Sequence, residues 1–383
     1  MIDLAALTAA EFPWSGEATW LNSASTGPLP ERSRQAVDAF NRKRSTPYLL
    51  PDSDLFALFT ESRELVARML NADPAEIALA SNTSYGLNLA ARALPLAPGD
   101  IVLLSDKEFP ANVYPWLALR KVGVTVEMAP VTPEGWPDEA HLLERLRDPR
   151  VKVLAVSLVQ FSNGYRVDLA ALSAATRATD TWLVVDGIQG VGVEELDVRR
   201  TPVDVLSVGA QKWLLSPWGS GFTYVRREVI TQLEPLYVGW TACEGTDDYS
   251  RMTEYSPSLR GDARRFEMIT LPYQDFAGMN VSLRLLLDIG VARIAEHVHA
   301  LHAPLLDWAH DRGVRVTSPV GPHASAIVCL APPDPAAAHA ALRESRIYTS
   351  LREGSIRISP HFFNTSRDMS RVRDVLDAAM GRK

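Results

Sequence analysis

Apolar and polar positions along this chain fall into blocks that predict a repeating strand-and-helix order. Short, nearly continuous apolar runs recur at Ile77–Ala80, Ile101–Leu104, Gly123–Met128, Val151–Val159, Trp182–Asp186, Val203–Val208 and Phe222–Val225. Runs of that length suit strands buried on both faces. Between them lie stretches with helical spacing. In Asp54–Leu70, for example, Leu55, Leu58, Phe59, Leu65, Val66 and Met69 form one stripe. Glu31–Arg44, Leu87–Leu94, Asp138–Leu146, Leu169–Arg177 and Gln274–Ile289 read as further helices. The alternation predicts an α/β fold. A large domain with a mostly parallel sheet is expected over residues 31–260. Residues 1–30 and 261–383 then form a smaller α+β domain, reached through the helix at 274–289.

Composition narrows the classes. A chain of 383 residues, 46% hydrophobic, has room for two cores, and its net charge of −7 is the wrong sign for a nucleic-acid binder. No apolar run is long enough to cross a bilayer, and no basic-then-apolar leader opens the sequence. A cytoplasmic protein with no membrane partner is expected. Two cysteines, Cys243 and Cys329, make neither a disulfide framework nor a four-cysteine zinc site. Of His297, His299 and His302, helical spacing puts only the last two on one side, so a solvated helix face is expected and no metal. Gly187-Ile-Gln-Gly-Val-Gly192 has the wrong spacing for a dinucleotide fingerprint.

In parallel sheets, ligands bind beyond the carboxyl ends of the strands, and the candidate chemistry gathers there. Trp182–Asp186 ends on a carboxylate. Lys212 follows the next strand among Gln211, Trp213, Leu214 and Leu215. Desolvation there lowers an amine's pKa and frees it to attack a carbonyl carbon. Upstream, Ser81-Asn-Thr-Ser-Tyr-Gly86 puts hydroxyls at a strand-to-helix junction, which suits either an anion site or simple N-capping.

A strand-end carboxylate, a lysine after the following strand and an upstream hydroxyl turn match the needs of pyridoxal phosphate. On these motifs the chain resembles the fold-type I pyridoxal-phosphate enzymes of the class V aminotransferase group. That group also holds cysteine desulfurases and isopenicillin N epimerase-like proteins. The resemblance implies a seven-stranded type of sheet and a homodimer with shared active sites. It also implies an enzyme acting at Cα of an amino acid: an aminotransferase first, a lyase or epimerase as the alternative, a cysteine desulfurase less so. A non-catalytic ligand-binding protein on the same scaffold is the reading from another class.

Residue by residue, the resemblance implies that Lys212 is the Schiff-base lysine and Asp186 the partner of the pyridine nitrogen. Thr83 and Ser84 match the phosphate turn, Phe109 the ring that stacks on the cofactor, and Gln189 and Asn163 the donors to its phenolate oxygen. Gln211 stands where many relatives have histidine. Gly209 stands where many have a phosphate-binding serine, a contact that Ser207 is a candidate to replace. Thr270, in Arg265-Phe-Glu-Met-Ile-Thr270, matches a threonine that reaches the neighbouring subunit's phosphate. Arg357 matches the arginine that clamps the substrate α-carboxylate, and Ser25 and Asn163 are further expected substrate contacts. The segment before Arg357 carries no cysteine, and Cys329 lies in an apolar strand, so desulfurase chemistry is not expected.

Overall fold

The computed structural model describes residues 2–381. Its strands, in chain order, are β1 (Thr19–Trp20), β2 (Ile77–Leu79), β3 (Ile101–Ser105), β4 (Thr125–Ala129), β5 (Val151–Ser157), β6 (Trp182–Asp186), β7 (Val205–Gly209), β8 (Gly221–Val225), β9 (Arg315–Val316), β10 (Val328–Ala331), β11 (Ile347–Tyr348), β12 (Ser350–Arg352) and β13 (Ser355–Ile358). Every apolar run predicted as a strand is one. Seven of them form a single sheet in the order β2-β8-β7-β6-β5-β3-β4. The pairs β4–β3, β3–β5, β5–β6 and β6–β7 are parallel, and β8 runs antiparallel to both β7 and β2. Apolar side chains cover both faces, which is why these strands read as continuous hydrophobic runs.

Boundaries moved where capping outweighed periodicity. The helix predicted from Leu87 starts four residues earlier and spans Thr83–Ala93. Asn82 caps it by accepting from the Tyr85 N–H at 3.0 Å, so the polar first turn is helical although it has no apolar stripe. The helix Tyr273–Ile289 lies against Glu31–Arg44 and Asp52–Leu70. Small hydroxyls let it come close: Ser33 and Ser282 meet at 2.7 Å, and Ser62 donates to Asn280 at 2.7 Å.

The second sheet has the order β12-β13-β10-β9, all antiparallel, and β1 pairs with β11 beside it. Alternation gives this sheet two unlike faces. Leu330, Ile356 and Ile358 turn towards the helices Val291–Asp311, Pro335–Glu344 and Ser366–Ala379 and share a core with Leu305, Leu342 and Val372. In the ladder, Ser350 pairs with Arg357, Arg352 with Ser355 and Cys329 with Arg357, so these residues share the other face. The expectation of a solvated histidine face fails at His302. Its side chain is buried with Nε2 unpartnered, and burial pushes its pKa down to about 3. Among the described residues no helix is long and apolar enough to cross a membrane, and no three His, Cys, Asp or Glu side chains group as metal ligands.

Candidate active site

Parallel pairing sets Asp186, the last residue of β6, between Ser157 on β5 and Ser207 on β7. Only 2% of Asp186 is exposed, and its one hydrogen bond is accepted by Oδ1 from the Ile188 N–H at 3.0 Å. Burial raises its proton affinity, while the Lys212 charge acts in the opposite direction. Lys212 follows β7 in a tight turn, with Nζ 5.6 Å from the centroid of the Phe109 ring. Desolvation lowers the lysine pKa; Asp186 offsets part of that, and Arg357 and Arg352 add to it. A half-buried amine with depressed basicity is a nucleophile and a base in one group.

The lysine turn is tied down from three sides. The Gly27 N–H donates to the Gln211 carbonyl at 2.9 Å, and a Cβ at residue 27 would lie 1.9 Å from the Lys212 carbonyl oxygen. Only glycine allows that approach. Trp213 Nε1 donates to Gln189 Oε1 at 2.9 Å, and Gln189 Nε2 donates to the Ala24 carbonyl at 3.0 Å. His361 Nδ1 accepts from the Phe362 N–H at 2.8 Å, which leaves Nε2 as the N–H donor to the Trp213 carbonyl at 3.0 Å. Burial lowers the His361 pKa to about 4 and keeps the ring neutral.

Thr83 opens its helix beside the ends of β7 and β8. Its Oγ1 accepts from the Gly209 N–H at 2.8 Å, and the next residue, Ser84, is exposed at the helix N-terminus. The helix N-terminus with its dipole and two hydroxyls has the chemistry of an anion cradle. Ser207 is no replacement donor: it is wholly buried and donates beneath the turn to the Thr83 carbonyl at 2.8 Å. The Gln211 side chain folds back over Gly209. A Cβ at residue 209 would sit 2.5 Å from Gln211 Oε1 and 3.2 Å from Thr83 Oγ1, so the glutamine amide borders the cradle.

At the other end stands Arg357. It is 2% exposed, on a strand inside its sheet and not at an edge. One Nη donates to the Phe161 carbonyl at 2.7 Å, the other to Ser25 Oγ at 2.7 Å, and Nε has no partner. No carboxylate pairs with it among the described residues, and burial pushes its pKa down to about 10. A buried guanidinium without a counter-ion has the charge and the donors to pair with a carboxylate.

The fold therefore brings together Lys212, Asp186, Phe109, Thr83, Ser84, Gln211, Gln189, Ser25 and Arg357. Asn163 is buried in its own loop, donating to the Gly135 carbonyl at 2.9 Å and accepting from the Tyr165 N–H at 3.0 Å. Gln189 and Asn163 each keep one amide N–H beyond these bonds. Thr270 is exposed and its side chain makes no hydrogen bond to its own cradle. Sequence reasoning missed Glu108. This buried carboxyl accepts from the Ser157 N–H at 2.8 Å, from Gln160 Nε2 at 2.7 Å, from Asn112 Nδ2 at 3.2 Å and from the Ser157 hydroxyl. It also missed His361, whose signal was a polar residue set against Phe362 and Phe363; Glu108 follows Asp106 and Lys107 and carried no such local signal.

The profile of one family, Aminotransferase class-V, matches residues 19–372. The chain belongs to the aminotransferase class-V family. An uncharacterized aminotransferase of Schizosaccharomyces pombe is 30% identical over 82% of this chain and 80% of its own. The isopenicillin N epimerase of Streptomyces clavuligerus is 29% identical over 94% of both chains. A solved structure of C-DES, with glycine covalently linked to its PLP cofactor, superposes with a TM-score of 0.88 at 23% identity, covering 96% of this chain and 98% of that one. The protein is an enzyme with the fold of the pyridoxal-phosphate enzymes.

Proposed function

We propose that this class V enzyme uses pyridoxal 5'-phosphate to transaminate an amino acid, with its active sites shared in a homodimer. The observation that carries the reading is the set Asp186–Lys212–Arg357. A buried carboxyl with one free oxygen, an amine of lowered pKa and an unpaired guanidinium converge on one space. When bound, the cofactor supplies an electron sink for charge developed at Cα of an amino acid.

This chain's own residues supply the rest. Thr83, Ser84 and the helix N-terminus hold the phosphate, and Gln211 borders it. Asp186 keeps a proton on the pyridine nitrogen. Lys212 would hold the cofactor through its amine and, once released from that role, would be the base that takes the Cα proton. Arg357, braced by Ser25 and the Phe161 carbonyl, grips the α-carboxylate and aims the Cα–H bond at Lys212. Phe109 covers the site and excludes water. Among the described residues, Phe109, Gln189 and Gln211 stand near Lys212, and none of the three exchanges a proton near neutral pH. One base on one face suits moving a proton between Cα and the cofactor; epimerisation needs a second acid on the opposite face.

Cysteine desulfurases are among the relatives and share the fold. Their chemistry requires an accessible thiolate. Cys329 is wholly buried, its thiol pushed up to about 12 by burial. Cys243 bridges to Leu259 in a segment, 240–260, with no hydrogen bond to the lysine turn among the described residues. Dimerisation is supported by exposed Thr270 and by the solvent-facing Trp218, Tyr237 and Tyr255.

The test is borohydride reduction of the holoenzyme with peptide mapping, then incubation with amino acids and a 2-oxo acid under product mass analysis. Label on Lys212 with transfer of the amino group is expected. Label elsewhere removes the cofactor assignment. Pyruvate plus ammonia, or a change of configuration at Cα with no transfer, replaces transamination by a lyase or epimerase.

A further inference from the structure

The sheet face that carries Arg357 holds a second arginine. The strands β12 and β13 are joined by a two-residue turn, Glu353-Gly354, with φ of 43° and 73°. Two left-handed residues in succession make a tight hairpin that fixes register. That register pairs Ser350 with Arg357 and Arg352 with Ser355. Arg352 is thus the diagonal neighbour of Arg357 on one face, with backbones about 7–8 Å apart. It is exposed, its only hydrogen bond runs from Nη1 to the carbonyl of its own neighbour Leu351 at 2.8 Å, and no carboxylate pairs with it among the described residues.

Its charge is felt inside the site. Arg352 helps to push down the pKa of both Lys212 and Arg357. Among the described residues, the anion acting on Lys212 is Asp186. The α-carboxylate of a substrate compensates Arg357 and leaves Arg352 without a counter-charge on the same face. The wall between them is polar: Ser25 and Ser350 meet at 3.4 Å, and Ser350 donates to Asn22 Oδ1 at 2.8 Å. The side chains of that wall are hydroxyls and an amide.

We infer that Arg352 is a specificity residue, and that the preferred substrate is an amino acid whose side chain ends in a carboxylate. Arg357 takes the α-carboxylate and Arg352 the distal one, the two spaced by the hairpin register. This rests on the reading that an amino acid binds with its α-carboxylate at Arg357.

The experiment is a spectral titration of the holoenzyme with aspartate, glutamate and 2-aminoadipate against asparagine, glutamine and alanine, at low and high salt. The best acid is expected to perturb the cofactor band at a concentration about 10- to 100-fold below its uncharged counterpart, the span of a charge-assisted hydrogen bond. The preference should shrink with salt, because the pair is exposed. Arg352→Gln should bring the acid-to-amide ratio near one, with a much smaller change in cofactor affinity and alanine titration, and Arg352→Lys should restore part of the ratio. Equal titration by acids and amides in the parent protein overturns the inference and leaves the role of Arg357 standing. So does a ratio that survives Arg352→Gln. If no amino acid of either kind perturbs the band, the proposed function falls and the inference falls with it.

Discussion

Two buried carboxyls stand on either side of Ser157 at this sheet edge and have opposite surroundings. Asp186 ends β6 with a single backbone N–H on one oxygen. Glu108, just beyond β3, is saturated by Ser157, Gln160 and Asn112. Burial raises the proton affinity of both. A carboxyl with all its acceptor capacity used is a tie: Glu108 joins the segment carrying Phe109 to the end of β5 and to the loop carrying Phe161. A carboxyl left short of partners beside a lysine is available to a proton-bearing ligand atom. The difference teaches that burial alone does not mark a working acid; the unfilled acceptor does.

The contrast breaks most sharply on the working side. Lys212→Ala should reduce turnover below detection and abolish borohydride labelling of its peptide. Melting temperature should hold or rise, since a desolvated amine is removed. Asp186→Asn should lower kcat by about 100-fold or more, the scale of a lost preorganised electrostatic contact, with the fold intact. Turnover near the parent level in Asp186→Asn would mean that another group partners the ring nitrogen.

On the tying side the cost should appear as stability. Glu108→Ala strands the donors of Ser157, Gln160 and Asn112 in the interior, at about 1–3 kcal/mol for each buried group left unpaired. Denaturant unfolding of the apoprotein should show a loss of roughly 3 kcal/mol or more, and Glu108→Gln a smaller one. A stable Glu108→Ala protein with impaired turnover would move Glu108 from the tie to the chemistry.

A milder probe is pH. The folded protein keeps protons on Asp186 up towards about 7, whereas an unfolded aspartate has released them near 4. In that window the folded state binds more protons than the unfolded chain, so apoprotein stability should fall as pH rises from about 4 to about 7. Asp186→Asn should flatten the slope, read from denaturation midpoints at several pH values. An unchanged slope would show that Asp186 titrates normally in the apoprotein.

How far this was legible follows from the same pair. Asp186 could be read because it ends an apolar strand, and Lys212 because it interrupts an apolar loop. Both signals are local, and the strand order needed only alternation. Glu108 looked like a loop acid, because nothing nearby in sequence says that Ser157 and Gln160, some fifty residues on, will surround it. The same limit hid the ties of Gln189 to Ala24 and of His361 to the Trp213 carbonyl. It also hid the face shared by Arg352 and Arg357, which is set by a hairpin turn at Glu353-Gly354. The role of Ser207 stayed open in the sequence for a different reason. Alternation along β7 sends it under the phosphate turn, bonded to the Thr83 carbonyl, and a hydroxyl count does not say which way a strand residue points.

The smallest expected effect concerns the cradle opposite Asp186. Gly209→Ser would put a Cβ 2.5 Å from Gln211 Oε1 and 3.2 Å from Thr83 Oγ1. The first contact is with the far end of a flexible side chain, which can swing away at little cost. The second asks for a few tenths of an ångström. Gly209 has no left-handed backbone to strain, since its φ is not among the positive values. Stability should therefore change by less than about 1 kcal/mol. The new hydroxyl displaces the Gln211 amide from beside the phosphate position, exchanging one neutral donor for another, so apoprotein affinity for the cofactor should change by less than about tenfold. Coupling decides whether the two residues are one device. Gln211→Ala should weaken cofactor binding in the parent protein and have little effect in the Gly209→Ser background, an interaction energy that a double-mutant cycle isolates. If the two losses simply add, the glutamine and the glycine act independently, and the amide does not fill the place left by the missing side chain at residue 209.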